Sequence, residues 1–179
     1  MASNAKKYLI TAVILGSIAA GSALLIAGTH ALTKDTIAAN EQKRVSNGLA
    51  EVFEAEEVQS EVIKLEKKFD YEITSYYDVK DNNGNQLGFA FKTTGSNPYG
   101  KISLIIGYSN DYFYKGLSVV SNEQSFASTL NKKYLVPVMA GERDISDVSC
   151  GATYGAKLVR DMVNETEKVV EYMKGANNG

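Results

Sequence analysis

The stretch YEITSYYDVKDNNGNQLGFAFKT, Tyr71 to Thr93, decides the fold. Its first half, Tyr71–Val79, is β-branched and aromatic, the composition that suits a pleated, half-buried surface. DNNGN, Asp81 to Asn85, is a strong turn signal, and Gln86–Thr93 reads as a returning strand. Outward from this hairpin the pattern repeats. TGSNPYG (Thr94–Gly100) predicts a loop, and KISLIIGYS (Lys101–Ser109) a buried strand. NDYFYKG (Asn110–Gly116) predicts another turn, and LSVVS (Leu117–Ser121) a further short strand. The expectation is an antiparallel meander. From Asn122 to Ser146 the signals mix, with a short helix expected around Ser125–Lys133. The last segment is helical: Leu158, Val159, Met162, Val163, Val169, Val170 and Met173 form one apolar face, and Gly175 is placed to cap it.

Upstream of the hairpin, residues 34–69 are charged and free of proline. Ile37, Val45, Leu49, Val52, Phe53, Val58, Val62 and Leu65 recur at helical spacing. This predicts a linker helix, interrupted or bent at Gly48. Before it, YLITAVILGSIAAGSALLIAGTHALT (Tyr8–Thr33) contains no Asp, Glu, Lys or Arg. At about 1.5 Å per residue such a helix reaches roughly 39 Å, beyond the ~30 Å hydrocarbon core of a bilayer. The run is too long for a signal-peptide core, and no small-x-small site closes it, so an uncleaved anchor is expected. Gly16, Ala19, Ala20, Gly21 and Ala23 allow a second helix to approach. Lys6 and Lys7 precede the span and Lys34, Lys43 and Arg44 follow it, so charge leaves orientation open. The reading is therefore α+β: anchor 1–33, linker helix 34–69, and a compact antiparallel-sheet domain 70–179 closed by a C-terminal helix.

Composition narrows the chemistry. Nineteen basic and 21 acidic residues give a net charge of −2, without the basic patch a nucleic-acid partner needs. One cysteine, Cys150, allows no internal disulfide, and with one histidine, His30, a Cys/His metal site lacks ligands. No metal is expected. His30 sits at the edge of the apolar run, which weighs against histidine-led acid–base chemistry. Tyrosine is the abundant aromatic, with 11 residues, and tryptophan is absent. Tyrosine rings suit exposed sheet faces and can flank a planar ligand.

The remaining signal is DVSCGATYGAKLV, Asp147 to Val159. Ser149 to Gly155 lie just ahead of the final helix, where unpaired N–H groups and the positive end of the dipole favour a phosphate. Gly151 and Gly155 let backbone approach a ligand. The same residues suit helix capping alone, and local physics leaves both readings open.

This segment resembles the covalent-flavin motif of the FMN-binding domains found in the G subunit of the Rnf complex and the C subunit of the sodium-pumping NADH:quinone oxidoreductase. There an Asp-x-x-[Ser/Thr]-Gly-Ala-Thr pattern precedes the final helix. Asp147, Gly151, Ala152 and Thr153 match, while Cys150 replaces Ser or Thr and Gly155 stands where a second Ser or Thr is common. The resemblance extends to ALTKDTIAANEQKRVSNGLAEVF (Ala31–Phe53), similar to the family's first extramembrane helix, and to the region Asn97–Ser125. A Glu-Thr-Pro-Gly segment that lines the flavin in the family corresponds to Glu123-Gln124-Ser125-Phe126, with only the glutamate kept. Chain length favours the Rnf protein of the two.

The resemblance implies FMN held covalently on Thr153 through a phosphoester, with Ser149, Cys150, Gly151, Ala152, Tyr99, Gly100 and Glu123 as cofactor contacts. It implies that Asp147 is read by the flavin transferase that installs the cofactor. No catalytic residue is implied apart from the flavin. Cys150, lacking a second cysteine, reads as a small packed residue. The implied function is electron transfer within a membrane complex that couples ferredoxin and NAD oxidoreduction to Na+ or H+ transport. Its partners are the other subunits and the bilayer. Lys6 and Lys7 then lie inside and the domain lies on the outer face of the cytoplasmic membrane. The alternatives are the equivalent quinone-oxidoreductase subunit or a stand-alone anchored flavin domain. A pilin-like protein would need a glutamate early in the apolar helix, and Tyr8–Thr33 has none.

Overall fold

A computed structural model describes the backbone of residues 2–177 and the side chains of 6–29 and 32–176. The side chain of His30 lies outside the described residues. The chain divides into two units at Gln42/Lys43. The first unit is helical throughout its described residues, as the N-terminal part of α1 (Ala2–Phe53). It holds a window of mean hydropathy 2.3 with no part buried in protein, long and apolar enough to cross a membrane. The hydroxyls of Thr11, Ser17, Thr29 and Thr33 each donate to the carbonyl four residues back. These polar groups are thus satisfied inside the helix, as a lipid environment demands.

The second unit is a five-stranded antiparallel sheet in sequence order. Its strands are β1 (Gln59–Lys64), β2 (Ser75–Lys80), β3 (Gln86–Asn97), β4 (Gly100–Tyr108) and β5 (Tyr114–Asn122). The hairpin at Asp81–Asn85 forms as expected. Asp81 Oδ1 accepts the N–H groups of Asn83 and Asn85, each at 2.8 Å, and Gly84 takes φ +83°. After β5 come α2 (Ala127–Leu130), a π-helical turn (Asn131–Leu135) and α3 (Val136–Met139). The chain closes with α4 (Thr153–Asn177).

Alternation along the strands splits the core between the two faces. Phe89, Phe91, Ile102, Leu104, Ile106 and Tyr108 pack against Leu158, Val159, Met162, Val163, Val169 and Val170 of α4 and against Leu130, Tyr134 and Leu135. Burying each such aliphatic or aromatic side chain contributes about 1.5–3 kcal/mol. Thr166, fully buried on α4, donates to Val163 O and accepts from Tyr108 Oη at 2.7 Å, so the polar pair inside this layer is satisfied. On the opposite face, Val45, Leu49, Val52 and Phe53 of α1 cover Val79, Ala90, Ile105 and Val120.

Three sequence expectations change. The linker helix does not reach residue 69: α1 ends at Phe53, runs unbroken through Gly48, and is followed by Glu54 at φ +54°. Val62 and Ile63 instead lie in β1 opposite Tyr77 and Tyr76. Their β-branched side chains gain cross-strand aromatic partners there, which outweighs helical spacing. Gly175 does not end α4, which continues to Asn177. The predicted loop Thr94–Gly100 is mostly strand, since β3 extends to Asn97 and pairs with Gly100 across a tight turn.

Candidate functional site

The turn joining β3 to β4 meets the first turn of α4. Asn97 Oδ1 accepts the Tyr99 N–H at 2.8 Å, while Asn97 Nδ2 donates to Tyr154 O at 3.2 Å. The carbonyl of Tyr99 accepts from both the N–H of Ser125 (2.7 Å) and its hydroxyl (3.1 Å). Gly100 makes this junction possible. At φ +134°, a Cβ there would lie 2.3 Å from Glu123 O, so only glycine fits between the turn and the segment after β5.

These elements enclose an open cavity of about 250 Å³ lined by Tyr99, Gln124, Phe126, Leu130 and the run Gly151–Gly155. The Tyr99 ring stands 5.4 Å from that of Tyr154 and 5.9 Å from that of Phe126, centroid to centroid. Tyr154 and Phe126 are more than half exposed, at 64% and 54%. Exposed aromatic rings gathered at one cavity suit a planar ligand better than they suit stability in water. Just past the cavity-lining run, Ala156 N–H is the first group of α4 to find a carbonyl, Ala152 O at 3.1 Å. The N–H groups of Thr153, Tyr154 and Gly155 precede it, at the positive end of a long helix. An anionic group at Thr153 is therefore favoured by the backbone alone.

The approach to the helix is held by Arg143. Its Nε donates to Asp147 O at 3.1 Å, and its Nη2 reaches Asp147 Oδ2 at 3.0 Å and Ser149 O at 2.6 Å. Its guanidinium also lies over the Tyr134 ring, 5.6 Å from the centroid. Asp147 Oδ1 in turn accepts the Ser149 N–H at 3.2 Å. The next residues, Cys150 and Ala152, are buried, and Gly151 between them takes φ +82°.

Among the residues singled out from sequence, Thr153, Gly151, Ala152 and Tyr99 come together at the cavity, with Thr153 half-buried. Gly100 contributes by its backbone. Ser149 is exposed and does not line the cavity, and Cys150 is packed into the core layer. The Glu123 side chain is exposed and does not line the cavity; its N–H pairs with Lys101 O. Gln124 and Phe126 lie in the segment set against the family's Glu-Thr-Pro-Gly, and Tyr154 lies in the Ser149–Gly155 run, but sequence reading gives none of the three a contact of its own and gives Arg143 no role. The departure at Gly155 has a local reason: Leu130 fills the space, and a Cβ at 155 would lie 2.8 Å from its Cδ2. A serine or threonine there would displace a fully buried leucine.

Residues 1–52 match the family model described as the RnfG N-terminal region. The matched residues nearly coincide with α1 and include none of the residues that line the cavity. The chain thus resembles the RnfG family at the end opposite to the Gly-Ala-Thr segment. No curated protein matches the chain.

Proposed function

We propose that the chain is an electron-transfer subunit of an Rnf-type, ion-translocating membrane oxidoreductase, carrying FMN as a phosphoester on Thr153. The single observation that supports this most is the position of Thr153: half-buried at the N-terminus of α4, in the wall of a cavity bordered by Tyr99, Phe126 and Tyr154. The N-terminal match adds support from an independent part of the sequence.

The residues present fit the group. The N–H groups of Thr153–Gly155 lie in the first turn of α4, ahead of its first backbone bond, and helix polarity there favours the charge of a phosphate. Tyr99, Phe126 and Tyr154 offer flat apolar surface to a ring system and shield one side of it from water. Gly151 and Ala152 leave room for the tether. The flavin, when bound, supplies one-electron and two-electron redox chemistry, and the protein supplies position and electrostatics. Asp147, held by Arg143 on the exposed approach to Thr153, is the group offered to a flavin transferase. On this reading residues 1–33 anchor the chain with Lys6 and Lys7 inside, residues 70–179 form the outer domain, and the tether keeps the cofactor from diffusing away.

The test is in-gel flavin fluorescence of the denatured chain purified from membranes of cells that contain the transferase. Fluorescence in the parent chain and none in Thr153→Ala is expected. Fluorescence that survives Thr153→Ala would move the attachment elsewhere.

A further inference from the structure

Gln124 lies in the cavity wall with only 6% of its surface exposed. Its Nε2 donates to the carbonyl of Gly100. A carbonyl only accepts, so this bond fixes the amide: the donor end faces Gly100 and Oε1 faces the other way. Oε1 lies 3.4 Å from where a Cβ of Gly155 would be, beside the first turn of α4. Among the described residues no group donates to it. The oxygen is not sealed in, because among the described residues the enclosed unpaired side-chain atom is Thr93 Oγ1, so Oε1 is open to a donor from outside. Leu130 packs into the space a side chain at 155 would take, and Gln124, Leu130 and Gly155 together line the cavity, so the oxygen stands in the cavity wall.

Resting on the flavin reading above, we infer that Gln124 is the orienting residue of the site, its Oε1 accepting a hydrogen bond from the imide N3–H of the isoalloxazine. The choice of atom follows from chemistry. The clamp on Gly100 prevents the amide from turning its donor end to the cavity. In the oxidised ring N1, N5 and both carbonyl oxygens are acceptors, and N3–H is the ring's donor. A fixed acceptor therefore selects the imide edge. N3–H persists on reduction, so the bond needs no rearrangement during electron transfer. Ring position is then set by Gln124 at one edge and by the tether at Thr153, with Tyr99 and Tyr154 against its surface.

The experiment uses the full-length chain in detergent, loaded in cells supplied with 15N-labelled riboflavin, and compares it with Gln124→Met, which keeps the side-chain length and removes the amide. Intact mass first reports loading. The N3–H proton signal in the nitrogen-edited spectrum then reports the bond. In the parent chain the signal should be sharp and protected from water exchange. In Gln124→Met it should be lost to exchange while N1 and N5 keep their shifts. A loaded parent chain whose N3–H exchanges freely overturns the assignment by itself, even if the variant fails to fold. A protected signal unchanged in the folded variant also overturns it, leaving Thr153 loading intact. A parent chain without FMN mass overturns the flavin reading and this assignment with it.

Discussion

The rings of Tyr99 and Tyr154 lie 5.4 Å apart with their planes 36° from parallel, joining the β3–β4 turn to the first turn of α4. Both are too exposed to carry much of the fold, Tyr154 at 64% and Tyr99 at 37%. They should therefore separate binding from stability. Tyr154→Ala and Tyr99→Ala each should cost within about 1 kcal/mol in denaturant unfolding, as surface substitutions do. In flavin-loaded protein each should raise flavin emission under native conditions, because a quenching ring has gone. Unchanged native emission in both variants would remove the aromatic wall from the site.

Arg143 gives the opposite kind of prediction. It holds the approach to α4 through Asp147 and Ser149 with its side chain 19% exposed. Arg143→Ala should destabilise the chain by about 1.5–3 kcal/mol, the range for hydrogen bonds to charged groups. Arg143→Lys should recover only part, since a single ammonium cannot span the partners of a planar fork. Asp147→Asn should lose under about 1 kcal/mol, the scale of exposed ion pairs, yet should sharply reduce flavin loading. Chemical denaturation and fluorescence gels on the same preparations separate the two effects. Full loading of Asp147→Asn would exclude it from transferase recognition.

Much of the fold could be read because local chemistry and tertiary need agree. Asp81–Asn85 supplies its own turn bonds, and the apolar spacing of α4 matches the face it buries. The reading failed where tertiary partners decide. Val58, Val62 and Leu65 keep a helical spacing with Val45 and Leu49, but only the sheet reveals that Val62 is paired with Tyr77. At the site, Thr153 was legible through its motif. Gln124 was legible only as part of the segment set against Glu-Thr-Pro-Gly, because its pairing depends on a carbonyl 24 residues earlier in sequence and on the packing beside Gly155.

Acid should loosen one tie between α4 and the connection from β1 to β2, the bond from the Asp70 N–H to Glu165. Glu165 is held below its ordinary value of 4.5 chiefly by the hydrogen bond from Lys168, with the Asp70 N–H assisting and burial opposing. A depressed carboxyl pKa stabilises the fold fully above the unfolded value and loses that contribution as pH falls through the folded one. Thermal unfolding of the full chain in detergent should weaken below about pH 4.5, and Glu165→Gln should make that acid limb shallower. An identical acid limb in the variant would assign the loss to other carboxylates.

Gly100→Ala should damage the site through backbone geometry. Its φ of +134° disfavours any side chain, and the new Cβ would meet Glu123 O at 2.3 Å. A loss well above about 1 kcal/mol is expected, as for alanine placed where φ is positive. Wild-type stability in this variant, measured by denaturant unfolding, would show that the turn can shift without cost.

Covalent flavin on Thr153 is tested most directly by the intact mass of the chain purified from membranes of transferase-containing cells. One FMN moiety per chain, mapped by fragmentation to Thr153, is the expected result. A chain of unmodified mass from such cells would contradict it.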